Sequence, residues 1–197
     1  MTSNQTTAWL GIAASVGFTV ALVGFATLDP VYSHVTKAIS ELGVVGAPNQ
    51  MAWNLTGFLA VGLALAAFGW RFGWGVQDPA TGILLAVFGL AFAATAIPAD
   101  LDNLRSQGST AHIVASQGVL LFWLLGLIRL LFVKRAPASL RLVAALALIL
   151  AAGSIILRGS ELVQPGVAQR VSFAVVLGWV FAASLLLLPR PATVAKA

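Results

Sequence analysis

The chain has 197 residues, of which 59% are hydrophobic and 9% charged, and its mean hydropathy is +0.96. That is too little charge to coat a water-soluble domain of this length, and it places the chain in a bilayer. The absence of cysteine excludes disulfides, thiolate metal ligands, cysteine nucleophiles and c-type haem attachment. The formal net charge of +5 is spread among the ends of apolar runs, so nucleic acid is not an expected partner.

A helix needs roughly 20 apolar residues to cross about 30 Å of hydrocarbon. In chain order the runs that meet this are 9–28, 51–70, 80–97, 111–132, 140–157 and 171–188. They predict an all-α integral membrane protein with six transmembrane helices, forming a single domain over 1–197. No Lys or Arg precedes Lys37, so the first run lacks the basic start of a signal peptide and is read as a retained helix. Small residues within the spans, among them Gly11, Ser15, Gly57, Gly62, Gly82 and Gly89, let helices approach closely in lipid.

If the six helices alternate, one side of the membrane receives Arg71, Arg129, Lys134, Arg135, Arg141, Arg190 and Lys196, opposed only by Asp78. The other side receives Lys37, Arg105, Arg158 and Arg170 against Asp29, Glu41, Asp100, Asp102 and Glu161. The excess of basic residues marks the cytoplasmic side, which predicts a multi-pass protein of the cell inner (plasma) membrane with both termini cytoplasmic. Both histidines and five of the six carboxylates then fall in outer loops, which short connections bring together over the bundle mouth.

The first outer stretch is "DPVYSHVTKAISELG", residues 29–43. Asp29 can cap a helix starting at Pro30 and Gly43 can stop it, so a short amphipathic helix is expected over 30–42 in the first extracytoplasmic loop. On its wheel Val31, Val35, Ala38, Ile39 and Leu42 share one stripe, with Ser33, His34, Lys37, Ser40 and Glu41 on the other. The second stretch, 98–118, places His112 in the first turn of a helix capped by Ser109 or Thr110, with Ser116 one turn deeper on the same face. A helix N-terminus favours the neutral imidazole there, the form that accepts a proton or binds metal. In the third, 158–170, Arg158 and Glu161 can pair at i, i+3.

Several short motifs resemble the bacterial and archaeal membrane proteins grouped as domain of unknown function 998. They are Pro30, Tyr32 and Ser33, "ISELG" at 39–43, Asn54, Pro98 with Asp100, and His112, together covering about residues 29–120. Val31 stands where the pattern has a glycine. The resemblance implies a six-helix bundle with a polar outer site and groups Ser40, Glu41, Asp100 and His112 within it. A looser similarity is to membrane hydrolases of the alkaline ceramidase and adiponectin receptor kind, in which three histidines and an aspartate hold zinc near a serine. This chain has two histidines and no H-x-x-x-H pair.

The candidate site is therefore His112, Asp100, Ser40 and Glu41, as a binding or catalytic group. Tyr32, Ser33, His34, Asn54, Asp102, Ser116, Arg158 and Glu161 are candidate ligand-binding residues around it. The leading expectation is a non-catalytic site for a lipid headgroup, small molecule or partner, with no cofactor. The alternative is a membrane-embedded hydrolase of lipid esters or amides. It would use either zinc on His34, His112 and a carboxylate such as Asp100, Asp102 or Glu161, or a serine nucleophile, Ser40 or Ser116, with His112 and Asp100. A bis-histidine haem would need both rings inside the bundle, and a transport path would need polar residues through helices one, three and six; the sequence favours neither.

Overall fold

The structure is a computed structural model that describes residues 3–160 and 162–189, and every segment of regular structure among them is helical. The helices are α1 Ser3–Leu28, α2 Gln50–Gly75, α3 Pro79–Ala94, α4 Gln107–Phe132, α5 Ala138–Gly159 and α6 Pro165–Leu187. Five are long and apolar enough to cross a membrane; α3 is equally apolar but has 16 residues. Each helix packs on the next, and α6 returns to α1, so the six close a ring in which α4 and α5 touch least.

The ring is filled by aromatic side chains. Phe18 of α1 stacks on Phe173 of α6 at 5.2 Å, and Phe58, Phe92 and Trp53 complete a cluster toward one end. Edge-on geometry recurs, as between Phe58 and Phe92 at 66°, in keeping with the ring quadrupole. Glycines bring α2 and α3 nearly backbone to backbone. A Cβ on Gly69 would meet the Leu85 carbonyl carbon at 2.4 Å and one on Gly62 the Ala93 Cα at 2.5 Å. Close approach of this kind is what dispersion rewards where lipid removes the hydrophobic drive between helices. The turn between these helices is short because Gln77 takes a left-handed backbone, φ 58°, and Asp78 caps α3.

Within α2 the residues Asn54–Ala60 wind as π-helix. The Thr56 hydroxyl donates to the Ala52 carbonyl at 2.7 Å, a competing bond that loosens the local ladder. The wider turn buries Asn54, Gly57 and Phe58 toward the ring.

The expected helix over 30–42 does not form. Residues 29–38 run through turns, and only Ile39–Gly43 coils, as a 3-10 helix. Local acceptors take the amides instead: Asp29 Oδ1 accepts from Val31 N–H, and Ser33 Oγ from the N–H groups of Val35 and Thr36. Asp and Ser compete with helix in this way, and β-branched Val31, Val35 and Thr36 disfavour it further. Two further boundaries are corrected. α4 is capped by Ser106, not Ser109 or Thr110, which moves His112 into the second turn, beyond the strongest influence of the helix end. α6 starts at Pro165, well before 171, because proline is preorganised for the first helical position.

Candidate functional site

The end of the bundle that carries loops 29–49 and 95–106 holds the polar chemistry. The two loops join where Val45 N–H donates to the Ala99 carbonyl at 2.9 Å. Loop 29–49 lies across the mouth and is fastened from two sides. From α2, the Asn54 amide donates to the Gly43 carbonyl at 2.8 Å, and Gly43 packs so tightly on Asn54 and Trp53 that no Cβ fits. From α6, the Arg170 guanidinium donates to the carbonyls of Lys37 and Gly166, to the Tyr32 hydroxyl and to His34 Nδ1. Gln169 Oε1 accepts from Ile39 N–H at 2.6 Å, and Gly166 leaves room for the Val35 and Lys37 carbonyls to approach.

This explains the "ISELG" segment residue by residue. Ile39 and Leu42 are buried in the core, Glu41 turns back to accept from Ala38 N–H at 2.7 Å, Gly43 abuts Asn54, and Ser40 faces a cavity. Tyr32 bonds through its hydroxyl to the Ala38 carbonyl, and burial pushes its phenol above the ordinary value despite Arg170. His34 is held below its ordinary value, first by desolvation and then by the Arg170 charge.

Beneath the loop lies a cavity of about 580 Å³, within the range of small-ligand sites. Phe58, Phe92, Phe173 and Val176 form its apolar floor. Its polar lining comes from Ser40 in the loop, Thr95 after α3, His112, Ser116 and Gln117 on α4, Ser154 and Arg158 on α5, and Gln169 and Ser172 on α6. His112 is 9% exposed and packs against Phe58 at 6.3 Å. Its Nδ1 lies 2.9 Å from the Ile97 carbonyl, which can only accept, so in the neutral ring Nδ1 carries the proton and Nε2 keeps the lone pair.

Of the four residues grouped from sequence, Ser40 and His112 line this cavity, whereas Asp100 and Glu41 do not. The Asp100 carboxylate accepts from the N–H groups of Asp102 and Asn103, and its backbone is bracketed by the Ser109 hydroxyl. It thus shapes the turn that presents α4, and the partner of His112 is a carbonyl where a serine triad would need Asp100. Ser116 and Arg158 line the cavity; Tyr32 and His34 belong to the loop clamp, while Ser33 accepts from Val35 and Thr36 within the loop; Asn54 holds Gly43; Asp102 lies exposed in the 95–106 turn. Glu161 lies outside the described residues, and with it the expected Arg158 pair. Among the described residues no three His, Asp or Glu side chains gather as metal ligands, and His34, His112 and Asp100 are not brought together.

Hydropathy alone places Arg170 and Gln169 in a loop before a span at 171 and gives no sign of their contacts with loop 29–49. The available signal was Pro165, which starts a helix and puts both residues in its second turn, facing loop 29–49.

An all-helical ring with five membrane-capable helices and a polar mouth is the architecture of a helical membrane protein. The chain belongs to the family described as Protein of unknown function (DUF998), whose model matches residues 11–186. No curated protein and no solved structure matches it.

Proposed function

We propose that the protein crosses the cell inner (plasma) membrane six times with both termini cytoplasmic, and that the cavity under loop 29–49 binds a lipid headgroup or other small amphiphile from the outer face. The observation that carries this is the pairing of a polar ring, His112 and Ser40 among its members, with an aromatic floor in one cavity of about 580 Å³. Such a lining matches a molecule with a polar head and an apolar body. The shorter α3 completes the sixth crossing: its 16 residues span about 24 Å, and modest local thinning of the bilayer accommodates the difference.

Mass spectrometry of the intact protein, extracted from its own membrane in mild detergent, tests the binding role. The wild type should retain a bound small molecule, and Ser116→Trp, which fills the wall of the cavity from an exposed position, should lose it with helix content unchanged. A wild type that emerges bare, or a variant that retains the molecule fully, would contradict the proposal.

A second reading is hydrolysis of a lipid ester or amide, favoured by the presence of Ser40, Ser116 and His112 around one cavity. It requires a turnover that His112→Ala abolishes while the fold stays intact.

A further inference from the structure

We infer that the cavity is a side-opening cleft that takes an anionic phospholipid from the surrounding leaflet, with its headgroup at Arg158 and His112 and a chain passing out between α4 and α5. This inference deepens the binding role proposed above and rests on it.

The opening follows from the walls. Ile113 and Leu120 on α4 and Ile155 on α5 all line the cleft, yet they are 45%, 38% and 48% exposed. A side chain that lines a cavity and is also half exposed stands at its edge. These edges lie on the flank of the ring, between the two neighbouring helices that touch least, and not at the mouth, which loop 29–49 covers. In a bilayer that flank faces acyl chains.

The charge follows from the polar lining. Arg158 is the one charged residue among the described residues around the cleft, and it stands in the last turn of α5, at the level where a headgroup lies. No described carboxylate lines the cleft, and Arg158 has no ion-pair partner among the described residues. Its guanidinium presents a fork of donors suited to a phosphate. His112 Nε2 supplies the complementary acceptor, which selects a headgroup carrying a hydroxyl beside its phosphate.

The full chain in nanodiscs is photolabelled with phosphatidylglycerol or phosphatidylcholine carrying the same photoreactive chains. Phosphatidylglycerol should label segments 113–120 and 155–158 about tenfold more than phosphatidylcholine, the weight of one charge-assisted contact. Arg158→Gln should erase the preference, and Leu120→Trp, which narrows the opening at an exposed position, should lower labelling by both lipids.

Equal labelling by the two lipids, or a preference that survives Arg158→Gln, would overturn the anionic headgroup while leaving a retained molecule in mass spectrometry to stand for the binding role. Binding of free glycerol phosphate that Arg158→Gln removes, in a protein whose cleft takes no chain label, would mean a soluble ligand and overturn lateral entry. The absence of label from the cleft with every lipid would overturn the whole inference, and the bare or loaded state of the native protein decides the binding role separately.

Discussion

Arg170 shows how much one side chain can organise at a membrane surface. It spends its donors on two carbonyls, a phenol and an imidazole, and its guanidinium sits 5.6 Å from the centre of the Tyr32 ring. A lysine keeps the charge but cannot reproduce a planar fork, so Arg170→Lys should behave as a loss. With hydrogen bonds to charged groups worth about 1.5–3 kcal/mol, we expect a clear fall in melting temperature and proteolysis within 30–37. Unchanged protease resistance would remove Arg170 from its clamping role. The same clamp sets a pH dependence. His34 accepts from Arg170 Nε only when neutral, and its folded value is held below the ordinary one of 6.5. Its contribution is therefore complete above pH 6.5 and is lost as pH falls through the depressed folded value. Thermal stability should drop from pH 7 toward pH 5, and His34→Gln, which keeps an acceptor, should flatten that slope. These contacts were not legible from sequence, because Arg170 and His34 are 136 residues apart and no local pattern joins them.

At the scale of elements, the helices were legible and loop 29–49 was not. Hydropathy marks α1, α4, α5 and α6 because each is long and carries an apolar stretch of at least 18 residues. The wheel over 30–42 misled because a plausible stripe says nothing of whether Asp29 and Ser33 will take the amides a helix needs. Its buried residues were partly right: Ile39 and Leu42 are in the core, while Val31 and Val35 are exposed. The glycine seam between α2 and α3 makes a sharper prediction. Gly69→Val would drive side-chain atoms into the Leu85 backbone, whereas Gly24 and Gly17 have nothing within 4 Å. Overpacking of this kind costs about 1–3 kcal/mol or more. Gly69→Val should therefore lower the melting temperature by several degrees, and Gly24→Val should not. At the other end, Asp78 caps α3 through Thr81 N–H and pairs with Arg129 at 2.8 Å. Arg129 holds the Asp78 carboxyl far below the usual carboxylate range. Asp78→Ala removes the cap, worth about 1 kcal/mol, and chemical denaturation of the purified protein should show a loss of at least that size.

At the scale of the whole molecule, the sequence separates a basic end from a polar one, and the fold explains why the polar end is built as it is. Loops distant in sequence close over an aromatic ring and leave one amphiphilic cleft below. The residue types of that cleft were partly foreseen, as with Ser40, His112, Ser116 and Arg158. Phe58, Phe92 and Phe173 were not, since an aromatic inside a span carries no mark of which way it faces. The absence of native cysteine makes the orientation simple to test. Exposed positions Asn103 and Lys134, on opposite ends, should as single cysteines react with an impermeant maleimide from outside and from the cytoplasmic side respectively. Labelling of the Lys134 position from outside intact cells would invert the topology. The central claim, that the cleft houses an amphiphile, is met most directly by an experimental density map of the protein in nanodiscs of its native lipid. We predict elongated density running from Arg158 and His112 out past Leu120 and Ile155; a cleft closed by contact between α4 and α5, with no density inside, would contradict it.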